Sequence, residues 1–143
     1  MNDHNLKFIA VEKNNSDHIN LLYDLLKSRE YSISHKSLPK FETHESFVKN
    51  HPYREWFLIL HGDEFIGSVY VTNDNIIGIP NLKNELQNLK PVVNHILKNY
   101  APLPPIPSIR AKNFLINIPK GNTNLQTAVE TMGAEMIQTT YRL

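Results

Sequence analysis

The chain has 143 residues, no cysteine and a formal net charge of +1, with 41% hydrophobic and 20% charged residues. This length suits one hydrophobic core, so we predict a single domain over residues 1–143. The composition excludes a disordered or fibrous protein. Without cysteine, the chain can form neither a disulfide nor a thiolate metal cluster, and it has no cysteine nucleophile.

Charges of both signs are mixed along the chain, whereas a nucleic-acid-binding protein usually carries a clustered basic face. The apolar runs are a few residues long, far short of a bilayer span. Met1–Lys7 is polar, and Phe8–Val11 is too short for the apolar part of a signal peptide. We therefore expect a cytoplasmic protein with no nucleic-acid and no membrane partner.

The N-terminal third predicts one strand and two helices. Phe8–Glu12 has strand composition, and Asn15, Ser16 and Asp17 offer caps for a helix that runs through about Arg29. Four apolar residues mark the buried face of that helix at helical spacing: Ile19, Leu22, Tyr23 and Leu26. After a polar loop, Thr43 is the predicted cap of a short helix that ends at His51-Pro52.

Three antiparallel strands are predicted next. Trp56–Leu60 is continuously apolar, and the Gly62-Asp63 turn leads into Phe65–Thr72. A second turn at Asn73–Asn75 precedes Ile76–Ile79. The spacing predicts a three-stranded meander.

A long helix and a proline-rich connector follow. An apolar stripe predicts a helix over Leu82–Lys98, which Pro91 is expected to kink or split because it lacks a backbone donor. Ala101–Pro107 holds four prolines and predicts an extended polyproline-like segment. We interpret it as a stiff connector rather than a ligand for a proline-recognition module.

The last elements are a strand, a helix and a final strand. Lys112–Ile118 alternates apolar and polar residues, and Asn122 or Thr123 caps a helix that ends at Gly133 in a left-handed conformation. Glu135–Arg142 is predicted to close the chain as a strand.

The predicted fold class is therefore α/β, with a central mixed sheet flanked by helices in the order β-α-α-β-β-β-α-β-α-β. The strands Ile76–Ile79 and Lys112–Ile118 should run parallel, joined by the long helix in a right-handed crossover. The expected core consists of Trp56, Leu58, Val69, Ile77, Leu86, Leu89, Val93, Phe114, Ile116, Leu125 and Met132.

Two local motifs accompany this order of elements. Asn122 opens a helix that ends in Val129-Glu130-Thr131-Met132-Gly133, and the central hairpin contains Gly62-Asp63-Glu64-Phe65-Ile66-Gly67. Together they resemble the GNAT family of N-acetyltransferases, and His51–Trp56 with Ile33–Lys36 looks like a bacterial subgroup. The resemblance implies acetyl-CoA as co-substrate and a small-molecule amine or amino-sugar-like acceptor.

The chain departs from the family where coenzyme A should bind. The family carries a glycine-rich turn after its fourth strand, whereas Pro80–Leu89 contains no glycine, and Pro80 lacks a backbone donor. We therefore expect weak, salt-sensitive binding of coenzyme A that depends on Lys83 and Lys90 as point charges. Val129 also stands where many members have a tyrosine that protonates the thiolate, and Ala134 replaces a phenylalanine.

The resemblance also assigns roles to residues around the fourth and fifth strands. The backbone N–H of Ile79 would stabilise the oxyanion, exposed by a strand bulge at Gly78; a glycine merely tolerated beside a packed helix is the alternative. Asn117 matches the family's strand-ending asparagine and is a catalytic candidate. The cofactor-binding candidates are Ile77, Ile79, Lys83, Lys90 and Asn122.

The candidates for the acceptor side come from the first half of the chain. His35 is the predicted general base, with His44 second and Glu42 or Glu55 acting through water as further options. The predicted acceptor-binding residues are Lys36, Tyr53 and Arg54; otherwise Trp56 is core and Arg54 a surface ion-pair partner. No histidine spacing typical of a metal site is present, so we predict none.

Three functions are consistent with these features. The first is an active acetyl-CoA-dependent N-acetyltransferase with a divergent phosphate loop, and the second is a degenerate GNAT-like domain that binds a small ligand or a protein. The third is an unrelated mixed α/β module. A homodimer is left open.

Overall fold

The computed structural model describes residues 6–28 and 38–143. Five strands and four helices lie in these ranges: β1 (Leu6–Ala10), α1 (Ser16–Lys27), α2 (Phe41–Asn50), β2 (Glu55–His61), β3 (Glu64–Val71), β4 (Ile76–Gly78), α3 (Glu85–Asn99), β5 (Leu115–Ile116) and α4 (Thr123–Thr131).

The strands form one mixed sheet in the order β1-β2-β3-β4-β5. Neighbours are antiparallel from β1 to β4, whereas β4 and β5 are parallel and pair Ile76 with Leu115 and Ile77 with Ile116. The α/β class, the meander and the parallel pair joined by a helix are confirmed.

Two of the helices begin at asparagine residues that cap them. Among the predicted cap candidates, the structure selects Asn15, whose Oδ1 accepts hydrogen bonds from the N–H groups of Asp17 and His18, and Asn122, whose Oδ1 accepts one from Leu125. Thr43 is not a cap, because α2 already begins at Phe41.

The long helix starts three residues later than predicted and is not split. Leu82 lies in the preceding loop, where its Cα comes within 3.2 Å of the position a Cβ would take at Gly67. The helix continues through Pro91 as one element, because Leu89, Val92 and Ile96 are all fully buried against the sheet. None of the helices in the two described ranges is both long and apolar enough to cross a membrane.

Each face of the sheet has its own core. On one face of the sheet, Phe57, Ile59 and Val69 pack against the apolar residues of α3 and α4. On the opposite face, Leu58 packs against α1 and α2. Ten of the eleven predicted core residues are buried or partly buried. Leu86 is the exception at 59% exposed, because α3 packs Leu89, Val92 and Ile96 into the core instead.

The proline-rich segment is fixed to the turn between β3 and β4. Asn75 is buried and donates through Nδ2 to the carbonyls of Leu103 and Ala111, both at 2.9 Å, while its Oδ1 accepts from Leu103 N–H at 2.8 Å. Ile106 and Arg110 form an isolated antiparallel bridge, so the segment contains a turn as well as extended chain. The strand predicted over Lys112–Ile118 is reduced to β5.

The C-terminal segment is not the predicted strand. Gly133 has a φ of 94°, which confirms the left-handed helix end. Residues 134–143 beyond it are exposed and form no strand, so the prediction for Glu135–Arg142 is wrong. A β-prone sequence becomes a strand only where a neighbouring backbone takes its hydrogen bonds, and this segment has no such neighbour in the described chain.

Candidate active site

The pairing of the parallel strands β4 and β5 ends early at their carboxyl ends. Their pairing covers two residue pairs and stops before Gly78-Ile79 on one strand and Asn117-Ile118 on the other. Beyond these ends the chain leads to the N-termini of α3 and α4. The carboxyl edge of parallel strands with helix N-termini above it is the usual location of a ligand cleft in α/β sheets.

Gly78 is required by a close approach and not by a bulge. It pairs with Tyr70 without a shift of register, so the bulge expected there is not found. A Cβ at Gly78 would overlap Cζ and the hydroxyl of Tyr70, so the phenol end of this ring lies directly over the β4 backbone. Ile79 follows at once, is buried, and lies beyond the last β4–β5 pair.

Tyr70 belongs to a group of rings that we call the aromatic cluster: Phe47, His51, Tyr53, Trp56 and Tyr70. The Tyr53 and Tyr70 rings stack with centroids 3.9 Å apart, and Trp56 meets Tyr53 edge-on at 5.0 Å. The sequence analysis missed Tyr70. Its signal was the register of the hairpins, which places Trp56, Tyr70 and Gly78 in one row across the sheet.

The hydroxyls of this cluster remain protonated at neutral pH. Burial raises the pKa of Tyr70, and burial together with the neighbouring Tyr70 raises the pKa of Tyr53 strongly. His51 accepts a hydrogen bond from Tyr53 N–H through Nδ1 at 3.1 Å, and burial, with a smaller effect of Lys13, lowers its pKa. The cluster therefore offers proton donors and no strong base.

The loop after β4 turns sharply without glycine. Asn81 and Asn84 have φ values of 48° and 51°, the left-handed conformation that asparagine tolerates better than most residues. Part of the loop is already bonded to β3: Lys83 donates its N–H to the Ile66 carbonyl at 2.9 Å, and its Nζ lies 3.2 Å from a Glu64 carboxylate oxygen. Lys83 thus lies in the loop predicted to bind phosphate, but its ammonium group already forms an ion pair with Glu64.

The N-terminus of α3 still fits an anion such as the diphosphate of coenzyme A. Asn84 forms no side-chain cap there, whereas α1 and α4 are each capped by an asparagine. Glu85 in the first turn has its carboxylate 3.0 Å from Asn122 Nδ2, which ties it to the start of α4. Lys90 is exposed on the same helix.

Only some of the other predicted site residues lie at this end of the sheet. Arg54 donates to the Ala101 carbonyl at 3.0 Å and lies 5.6 Å from the Tyr100 ring centroid, so it holds the proline-rich segment; it forms no ion pair with the residues that the structure describes. Asn117 is exposed directly after β5, while Ile77 is buried in the sheet. His35 and Lys36 lie outside the described residues.

The remaining candidate bases differ in exposure. His44 is buried, donates through Nε2 to the Ile19 carbonyl at 2.9 Å, and has a pKa that burial lowers. Glu42 is exposed on α2, and Glu55 is partly buried at the start of β2. Within residues 6–28 and 38–143, no three histidine, aspartate or glutamate side chains are grouped so that they could hold a metal ion.

No protein-family model and no curated protein match the sequence. Solved structures do match the fold. A possible acetyltransferase from Clostridium difficile 630 has a TM-score of 0.56 at 13% identity, with 96% of each chain covered. An acetyltransferase from Thermus thermophilus has a TM-score of 0.54 at 15% identity, covering 70% of this chain and 72% of its own.

A third match is an aminoglycoside acetyltransferase from an uncultured soil metagenomic sample, solved in complex with sisomicin. Its TM-score is 0.50 at 16% identity, and the match covers 99% of this chain and 98% of its own. At these identities the likeness establishes a fold shared with solved acetyltransferases, which in the described part of this chain is a mixed five-stranded sheet with four helices.

Proposed function

We propose that this chain is a cytoplasmic, acyl-CoA-dependent N-acetyltransferase with a single catalytic domain over residues 1–143. The observation that carries the proposal is that the β4–β5 pairing ends before Ile79, and that the next helix, α3, has no side-chain cap at its N-terminus. The fold shared with acetyltransferases supports the same reaction class, although a fold alone does not determine function.

Coenzyme A would supply the acetyl group as an activated thioester. Its diphosphate would be held by the first-turn N–H groups of α3 and by the ammonium groups of Lys83 and Lys90, since both the helix dipole and these cations favour an anion. Asn122 would assist anion binding indirectly, because its side-chain amide donates a hydrogen bond to the Glu85 carboxylate in the first turn of α3. The backbones of Ile77 and Ile79 would line the path of the thioester arm.

The chemistry requires donors at two positions. The Ile79 N–H would donate to the acyl oxygen as negative charge develops on it. The Tyr70 hydroxyl, protonated and lying over Gly78, would give its proton to the leaving sulfur, the role that Val129 cannot perform. His35 remains our proposed base for the acceptor amine, with Asn117 at the mouth of the cleft.

The acceptor we propose is a small primary amine or an amino sugar. Tyr53 and Trp56 present aromatic surface on the α1 and α2 side of the sheet, and aromatic rings attract ammonium groups of a multiply charged amine. Trp56 Nε1 and Ser68 Oγ on this side are buried and have no hydrogen-bond partner in the described part of the chain. Lys36 would border the acceptor, whereas the Arg54 guanidinium is already bonded to the Ala101 carbonyl and is not given this role.

The decisive experiment is a calorimetric titration of acetyl-CoA at low and high salt. We expect weak binding that salt reduces further and that Lys83→Ala or Lys90→Ala weakens by about threefold each, the effect of an exposed ion pair. Glu64→Gln should strengthen binding because it releases Lys83. Lys98→Ala is the matched control, since Lys98 is also exposed on α3 but lies in its last turn. Tight binding insensitive to salt and to these substitutions would contradict the proposed phosphate site.

A degenerate domain that binds a small ligand or a protein is the second candidate. It is favoured by the bonds that already occupy the phosphate loop, in particular the Lys83 N–H to Ile66 and the Lys83 ammonium to Glu64. Complete absence of acetyl-CoA binding in the native chain and in Glu64→Gln would select this alternative.

A further inference from the structure

One tyrosine lies at the centre of the aromatic cluster. The Tyr53 ring contacts all four of the other rings, with centroid distances of 3.9 Å to Tyr70, 5.0 Å to Trp56, 5.4 Å to His51 and 5.7 Å to Phe47. In the described part of the chain, none of these four rings contacts all the others. The order of the cluster therefore depends more on Tyr53 than on any other member.

The position of the Tyr70 ring depends on two neighbours. Among the residues that the structure describes, Tyr53 is the only aromatic residue in contact with this ring, and the two ring planes differ by 4°. The phenol end of Tyr70 reaches the backbone of β4, where it would overlap a Cβ at Gly78. A ring in such close contacts has little freedom to turn. Tyr53 and the β4 backbone therefore determine together where the Tyr70 hydroxyl lies.

The backbone on both sides of Tyr53 is held in place. The Pro52 carbonyl accepts a hydrogen bond from Asn73 Nδ2 at 3.3 Å, and the Arg54 N–H donates to the Val71 carbonyl at 2.8 Å. Both bonds connect the segment before β2 to the end of β3 and the turn after it. The Tyr53 ring thus extends from a fixed segment, which is what a residue that orients a functional group requires.

The hydroxyl groups of the two tyrosines also interact. Burial raises the pKa of Tyr70, and hydrogen bonding with the Tyr53 hydroxyl lowers it to a smaller extent. The stack therefore brings the two phenol oxygens to the same end of the rings. A hydroxyl that donates to the Tyr70 oxygen stabilises the phenolate that remains when Tyr70 has given up its proton.

We propose that Tyr53 is a positioning residue, which holds the Tyr70 hydroxyl over β4 in the orientation that proton donation requires. This inference rests on the proposed function, because Tyr70 acts as a proton donor only if the chain transfers acetyl groups. It gives Tyr53 a second role beside the aromatic surface that it presents to the acceptor. A displacement of a reacting group by a fraction of its own size already slows a reaction substantially, so the position of Tyr70 matters for the rate.

The two roles of Tyr53 affect different kinetic constants. Loss of a contact with the acceptor alone raises KM and leaves kcat unchanged. Loss of the orientation of Tyr70 lowers kcat, and this loss disappears when Tyr70 has no hydroxyl to orient.

NMR spectroscopy of the tyrosine rings tests the positioning without any substrate. We expect the two sides of the Tyr70 ring to give separate signals in the native chain, because a ring in close contact on Tyr53 and β4 flips slowly. Tyr70→Phe identifies these signals by their absence. Tyr53→Leu should merge them, whereas Tyr53→Phe, which keeps the stack, should leave them separate. Merged signals in the native chain, or separate signals in Tyr53→Leu, would overturn the proposal.

Steady-state kinetics test the effect on the reaction, with acetyl-CoA as donor and glucosamine and putrescine as acceptor amines. Tyr53→Leu should lower kcat by about fivefold, less than Tyr70→Phe, because a positioning residue cannot cost more than the group it positions. Tyr53→Phe should restore kcat to within about twofold of the native value. Tyr100→Leu is the matched control with unchanged kcat, since Tyr100 is also partly buried but packs on the opposite face of the sheet.

The double substitution separates positioning from a general loss of structure. In a Tyr70→Phe chain, Tyr53→Leu should lower kcat no further. A native kcat in Tyr53→Leu, or an equal loss with and without the Tyr70 hydroxyl, would overturn the inference and leave the proposed function intact. A native chain that transfers no acetyl group would overturn the proposed function and the proton donation, whereas the ring signals would still show whether Tyr53 holds Tyr70.

Discussion

The two ends of the β4–β5 pair differ in how they are held. At the amino end, Asn75 bonds to Leu103 and Ala111, and its own carbonyl accepts from Leu115 N–H at 2.9 Å. At the carboxyl end the pairing stops after Ile77 and Ile116. One end is fastened by a buried side chain, and the other is left open.

The difference shows how a sheet can hold a cleft. Two residue pairs of parallel ladder are too few to fix the strands alone, so the register depends on the contacts of Asn75. With that end fixed, the other ends of the strands can separate and leave Ile79 outside the ladder. Three predictions test this division between a fixed and an open end, and a fourth tests the pH dependence of stability.

The largest effect is expected at the fixed end. Asn75→Ala removes three side-chain hydrogen bonds, leaves their backbone partners near Leu103 and Ala111 unpaired, and places alanine at a φ of 65°. We expect a loss of about 4 kcal/mol in the free energy of unfolding, measured by urea denaturation.

Asn73→Ala is the control for this substitution, because Asn73 is exposed in the same turn and its side chain forms one hydrogen bond, to Pro52. We expect a loss of no more than about 1 kcal/mol there. Equal effects of the two substitutions would mean that Asn75 does not fasten this end.

The next effect is expected where the open end begins. Gly78→Ala forces a Cβ into the Tyr70 ring and should destabilise the protein by roughly 2–3 kcal/mol, as overpacking does. If the ring is the cause, Tyr70→Leu in the same chain should remove most of that penalty. Additive effects in this double-mutant cycle would contradict the close approach.

A smaller effect is expected on catalysis, and it depends on the proposed function. Tyr70→Phe removes only the hydroxyl over Gly78 and should lower kcat/KM for acetyl transfer by about tenfold or more with little change in fold. Tyr100→Phe is the control, because Tyr100 lies near Arg54 and away from Gly78. Unchanged activity in Tyr70→Phe would exclude it as the proton donor.

The smallest effect concerns pH. Burial holds the pKa of His44 below its ordinary value, so between the two values the unfolded chain binds more protons than the folded one. Stability should therefore decrease as the pH falls below about 6.5 and level off below the folded pKa. His51 and His95 act in the same direction, since burial lowers the pKa of both.

His44→Gln preserves a donor toward the Ile19 carbonyl and should flatten this pH dependence, measured as the urea midpoint at several pH values. The exposed His61 serves as the control in His61→Gln. A slope that His44→Gln leaves unchanged would show that His44 is not a source of the acid sensitivity.

The sequence by itself determined the features that local patterns encode. The meander follows from apolar runs separated by turn residues, and the Asn15 and Asn122 caps follow from a side chain that reaches its own helix start. The parallel β4–β5 pair follows from the helix between them, because such a crossover returns the chain in the same direction.

Only the tertiary structure decided the features made by residues distant in sequence. Three contacts leave no periodic signal in the sequence: Asn75 with Leu103, Arg54 with Ala101, and Tyr70 with Gly78. The exposed Leu86 and the unpaired C-terminal segment were mispredicted for the same reason. Whether a residue is buried or a strand is paired depends on which other elements pack against it. The periodicity of the sequence shows only the local preference of each segment.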